Sequence, residues 1–153
     1  MKYHEIIDTL NDLIKICNDG KEGFRACAEN ASISSANLRA MLNERAHECA
    51  LAAEELSALV REMSGTPATG TTTAGALHRG WLNVKTSITG KTDRHVLEEC
   101  ERGEDVAKLA YQTALAKEIP ASIRSIVEQQ YQGVLSNHSL IKKLHEQEKQ
   151  RRV

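Results

Sequence analysis

Aromatic side chains are scarce, with one Trp, one Phe and three Tyr in 153 residues. So few rings cannot serve both a core and a stacking platform for bases, which sequence-tolerant binding of single strands requires. A dominant charge sign is missing too. Twenty Lys and Arg stand against 21 Asp and Glu, for a formal net charge of -1, so no broad positive field gathers nucleic acid or anionic lipid. Only the closing KKLHEQEKQRRV is locally basic, and residues 146–153 read as a solvated polar tail.

Long apolar runs are also absent. No stretch approaches the ~20 residues a membrane-crossing helix needs, and the opening MKYHEIIDTLNDLIKIC is interrupted by acids and Asn, without a signal-peptide core. A cytoplasmic protein without membrane contact is expected. Cys17, Cys27, Cys49 and Cys100 form no CxxC pair and no usual zinc spacing. They fall at apolar helical positions, where a reduced Cys acts as a small hydrophobe.

What is present is helical periodicity. Ile6, Leu10, Leu13, Ile14, Cys17, Phe24, Cys27 and Ala28 recur at three and four, the spacing of one helical face, and predict a helix over about 3–30. Gly20 and Gly23 weaken it without requiring a break. After candidate N-caps at Ser32 to Ser35, the stripe Leu38, Met41, Leu42, Cys49, Ala52, Leu56, Leu59 and Met63 predicts a second helix that ends near Gly65 and Pro67. The two make a hairpin.

The Gly-, Pro- and Thr-rich GTPATGTTTAG is the clear loop. ALHRGWLNVKTSITG then predicts a shorter helix, with Trp81 as its anchor. Its 15 residues would span about 22 Å, enough with the flanking loop to carry the chain from one end of a bundle to the other. Thr92 or Asp93 can cap a third long helix with the stripe Val96, Leu97, Cys100, Gly103, Ala107, Ala110, Tyr111 and Ala114. Pro120 suits the first turn of a fourth, whose stripe is Ile123, Val127, Tyr131, Val134, His138, Ile141 and Leu144. The expected fold is all-α and a single domain over 1–153. It is a ferritin-like four-helix bundle of two antiparallel hairpins, joined by a long crossover at 65–92 that contains a shorter helix.

Four stretches carry a family resemblance: LNDLIKICNDGKEGFRACAE at 10–29, ALHRGWLNVK at 76–85, VLEECERGED at 96–105 and EQQYQGVLSNHSLIKKL at 128–144. In these the chain resembles a bacterial family of four-helix-bundle proteins of unknown function within the ferritin-like group. The resemblance implies a ferritin-like bundle and brings no settled activity with it.

ECERGED and the Glu before it place five acids and one Arg around Gly103. A di-iron bundle takes a Glu from each of two helices and Glu-x-x-His from each of the other two. The second helix offers Glu44 and His47 in ERAH, but the fourth has no such pair at its centre, and its HEQE reverses the order. A hairpin turning near 118–120 would set Glu101 level with His138, with Glu104 and Asp105 within about a turn. Glu48 falls near mid-height on the other hairpin. Glu48, Glu101, Glu104 and His138 are therefore the candidate metal ligands, with iron or manganese as the candidate ion.

The same residues also fit a buried polar layer in which His138 meets Glu101 or Glu104 and Arg45 takes part. Arg102 can pair with Glu98 or Asp105, and Gly103 can mark a close helix approach. Asp19 and Glu22 mark either a helix irregularity or a polar patch. With no complete ligand pattern and no nucleophile or phosphate-loop motif, the sequence does not decide whether the protein is an enzyme. It favours a structural, stress-related or protein-interaction role for a homo-oligomeric bundle. The alternative is a ferritin-like metal protein using carboxylate and histidine ligands, with oxygen chemistry.

Overall fold

The computed structural model describes residues 2–31, 36–72 and 93–150. Within them lie four long helices: α1 (Tyr3–Asn30), α2 (Ala36–Glu62), α3 (Asp93–Leu115) and α4 (Ala121–Gln150). The Ser32 to Ser35 turn, the expected crossover helix with Trp81, and residues 151–153 lie outside the described residues.

Every residue of the expected α1 stripe is buried, because apolar positions at three and four leave no other face for the core. Backbone Lys2 N–H donates to Glu5 Oε2 at 3.3 Å and closes the start of α1. At the end of α2, Gly65 N–H reaches Val60 O and Ser64 N–H reaches Arg61 O, both at 2.9 Å. Ser64 sits at φ 62°, the left-handed stop that satisfies the last carbonyls.

The turn between α3 and α4 is held by Arg124, which donates to Leu115 O at 2.9 Å and Lys117 O at 2.6 Å. Pro120 stands just ahead of α4, its carbonyl accepting from Arg124 N–H at 2.8 Å, so it flanks the first turn.

Each helix packs beside two others: α1 against α2 and α3, and α4 against α3 and, more sparsely, α2. The helices α2 and α3 therefore lie on one diagonal of the bundle. Gly20 shows why α1 and α2 can close so tightly, since a Cβ there would sit 2.9 Å from Cys49 Sγ. The glycine serves a close approach and leaves α1 unbroken.

Two apolar clusters fill the interior. One gathers Leu10, Leu13, Leu56, Val60, Tyr111 and Val127, and the other Phe24, Leu42, Ala46, Leu97, Cys100 and Ile141. Glu104, between Cys100 and Tyr111 on α3, falls at the seam. All four cysteines are free and buried, as core fillers should be.

The segment after α2 lies along α1, held by polar side chains that face it. Asn11 accepts from Ala68 N–H at 2.8 Å and donates to Thr66 O at 3.1 Å, and Asn18 donates to Gly70 O at 2.9 Å. Asp19 Oδ2 accepts from both the N–H and the hydroxyl of Thr72. Asp19 thus anchors the start of the connection as a buried polar contact, 4% exposed, on a helix that runs unbroken past it.

Candidate functional site

Sparse packing between α2 and α4 leaves a cleft of about 650 Å³ that reaches the bundle centre. All four helices line it: Cys17 and Gly20 from α1, Arg45, Glu48 and Cys49 from α2, Glu104 and Tyr111 from α3, and Gln130 and Gly133 from α4. Residues three apart share a helical face, so α2 presents the pair Arg45 and Glu48 inward and α4 presents Gln130 and Gly133. Glu44 and His47, the Glu-x-x-His of the sequence, are exposed. Arg45 and Glu48 hold the inward positions instead.

At the floor, Arg45 Nε donates to Glu104 Oε1 at 3.1 Å, with side chains 8% and 1% exposed. The guanidinium carbon lies 5.4 Å from the centre of the Phe24 ring, a cation–π contact that holds it from below. Glu104 Oε2 is buried without a hydrogen-bond partner among the described residues. Tyr111 donates to Gln130 Oε1 at 2.7 Å and meets Cys17 Sγ at 3.3 Å. Gln130 in turn donates to Glu55 Oε1 at 2.8 Å and Ala52 O at 3.3 Å, which ties α4 to α2 at the mouth.

Burial pushes the Glu104 carboxyl above its usual range; Arg45 and His138 pull it back, and Glu48 adds to the rise. For Arg45, burial works against the charge, but Cys49, Glu104 and Glu48 outweigh it and hold the guanidinium above its ordinary value. Arg45 stays charged, as an arginine does throughout the accessible range, and of the two partners only Glu104 has its proton affinity raised by burial. Burial also raises the thiols, Cys17 to about 11 and Cys49 to about 12, so both face the cleft as neutral groups.

Of the residues singled out in the sequence, Glu48 and Glu104 share this cleft. His138 Nε2 pairs with Asp105 Oδ1, and neither residue lines the cleft. Glu101 Oε2 binds His145 Nδ1 at 2.7 Å, and His145 Nε2 lies 3.4 Å from Glu98 Oε1. The more buried histidine is thus His145, 8% exposed, which the sequence reading set aside because HEQE reverses the Glu-x-x-His order. Arg102 pairs with Glu99 at 3.1 Å, while Glu98 takes Arg94 at 3.5 Å.

Sequence reasoning also missed Gln130. It and Arg45 carried a readable signal, as polar residues at the three-and-four positions of otherwise apolar stripes.

Two antiparallel hairpins on a square, with a buried polar pair across the diagonal, define a ferritin-like four-helix protein. The chain belongs to the family described as "Domain of unknown function (DUF2383)", whose model matches residues 5–117 and so covers α1 to α3. The fold is similar to that of the bacterioferritin-related protein of Bacteroides fragilis, described as a dodecameric thioferritin. The TM-score is 0.79 at 15% identity, over 99% of this chain and 89% of that one. It is also similar to the bacterioferritin of Desulfovibrio desulfuricans, described with a diiron site, at TM-score 0.77 and 14% identity, over 97% and 82%. Comparison with curated proteins gave no match.

A dinuclear metal centre does not fit these residues. It needs two inward Glu-x-x-His pairs, and the inward pairs at this level are Arg45 with Glu48 and Gln130 with Gly133. Among the described residues, no group of three or more His, Cys, Asp or Glu is placed to hold a metal ion.

Proposed function

We propose that the protein is a ferritin-like metal-binding bundle in reduced form, taking a single divalent ion, iron or manganese, at Glu48 and Glu104 of the cleft. The observation that carries this reading is Oε2 of Glu104, buried without a hydrogen-bond partner among the described residues, on a residue that is 1% exposed and lines the cleft. Leaving an acceptor dry and unpaired is costly, so such an atom points to something that binds there.

Carboxylate oxygens suit hard divalent ions, with water filling the remaining positions. Glu104 is fixed by its place on α3, and Glu48, half-buried at the cleft wall, can close on an ion from α2. Iron held there would supply one-electron chemistry toward oxygen. The fold likeness supports work done inside the bundle over a purely structural role.

Association of copies is part of the same reading. Leu51, Leu109 and Leu140 on α2, α3 and α4 are 49%, 62% and 41% exposed, apolar side chains that a homo-oligomer can cover. No described helix is long and apolar enough to cross a membrane, and a cytoplasmic location is part of the proposal.

Calorimetric titration of the chelator-treated protein with Mn2+ tests the metal reading. Binding at about one ion per chain, lost in both E104Q and E48Q, is expected for ligands drawn from two carboxylates. Titrations without heat or saturation in the parent would reject it.

A further inference from the structure

We infer that the cleft between α2 and α4 is a binding site for a neutral organic molecule, one with an apolar body and a cyclic-amide edge that sets an N–H beside a carbonyl. The inference stands apart from the metal reading: it needs no ion and leaves the Arg45 and Glu104 pair in place.

Size comes first. At about 650 Å³ the cleft lies within the range of small-molecule pockets, roughly 300–1,000 Å³. An ion with a few waters, each taking about 30 Å³, would leave most of it unfilled. Ile16, Phe24, Ala107 and Val134 give it apolar walls, which favour an apolar guest over water.

Gly133 is a second sign. It lines the cleft, and a Cβ there would meet nothing within 4 Å among the described residues. The Cys49 thiol requires a glycine at position 20, but no described neighbour requires one at 133. Gly133 costs α4 helix propensity and keeps that part of the cleft open.

The polar floor states what the guest carries. Arg45 meets Glu104 through Nε and Oε1. Among the described residues, Glu104 Oε2 has no hydrogen-bond partner, and the terminal amino groups of Arg45 donate to none. These groups belong to the same guanidinium and carboxylate as the atoms that meet, so free donors and a free acceptor stand side by side. A cyclic amide matches both, its N–H donating to Oε2 and its carbonyl accepting from Arg45. The guest is neutral because the pair balances its own charge, and a further buried charge without a partner is costly.

The test is a fluorescence titration of the full chain, with chelator present, by two probes: naphthalimide, which has the N–H and carbonyl edge, and N-methylnaphthalimide, which has lost the N–H. The parent should bind naphthalimide saturably and the methylated probe about tenfold or more weakly, the loss expected when a buried carboxylate oxygen goes without its donor. E104L should bind the two alike. G133L, whose side chain fills the open space, should bind neither while keeping its helices by circular dichroism.

No saturable binding by the parent overturns the inference, as do equal affinities for the two probes or undiminished binding by folded G133L. If G133L does not fold, the Arg45 Nε–H resonance of the parent gives the location. A shift at saturation with naphthalimide supports the inference, and an unmoved resonance overturns it. Because no metal is present, failure here leaves the metal reading standing, and probe binding by a protein that takes up no Mn2+ rejects that reading alone.

Discussion

Arg45 and Glu104 meet across the diagonal of the bundle, Nε to Oε1 at 3.1 Å, while the second carboxylate oxygen of Glu104 has no hydrogen-bond partner among the described residues. Breaking such a buried pair from one side leaves an uncompensated charge, so R45M should cost about 3–5 kcal/mol. The double substitution R45M/E104L should recover most of that loss, because apolar replacements of a buried pair are often close to neutral. Urea unfolding of the single and double variants checks both statements.

The raised Glu104 carboxyl sets a pH dependence. Its folded pKa lies above the ordinary 4.5, so the folded state holds the proton more tightly than the unfolded one. The stability this contributes is complete below 4.5 and is lost as pH rises through the folded value. E104Q should flatten that decline. Unfolding free energies measured for both proteins across the window decide the matter, and an unchanged slope in E104Q would contradict the assignment.

Gly20 and Gly133 should respond in opposite ways to alanine. At Gly20 the new Cβ meets Cys49 Sγ at 2.9 Å, overpacking that should cost about 1–3 kcal/mol and be relieved in G20A/C49A. At Gly133 a Cβ meets nothing within 4 Å among the described residues, so G133A should stabilise α4 by up to about 1 kcal/mol through helix propensity alone. Thermal melts of the three variants test this.

Tyr111 tests the link between the cleft wall and its mouth. Y111F removes the hydroxyl that serves Gln130 Oε1 at 2.7 Å and Cys17 Sγ at 3.3 Å, and should cost about 1 kcal/mol. The Gln130 side chain, freed on one side, should then hold Glu55 less firmly. A Y111F/Q130A double-mutant cycle should return a nonzero coupling.

The helices were legible because periodicity and breakers act locally. Ile6 through Ala28 mark a face of α1 without reference to any other helix, and Gly65 and Pro120 mark ends through backbone geometry. Register was not legible. An antiparallel hairpin fixes which residues share a level only through its turn and crossing angle. His138 meets Asp105 instead of Glu101, and Glu101 meets His145, seven residues further along.

The inward face of α2 was partly readable: Glu48 was picked as a candidate ligand and Arg45 as a member of a polar layer, and both line the cleft. The motif Glu44 and His47 drew attention, while Arg45 stood between Leu42 and Cys49 on the buried stripe. A charge on an apolar stripe carries more information than a spaced pair beside it, because burial makes the charge costly unless it is paired.

The measurement that bears most directly on the central claim is metal content by elemental analysis. It would use tag-free protein loaded with iron or manganese and then desalted, alongside E48Q/E104Q shown by circular dichroism to retain its helices. The account predicts about one ion retained per chain in the parent, as expected for a carboxylate site completed by water, and none in the variant. A parent that retains no metal, or a folded variant that retains as much as the parent, would contradict it.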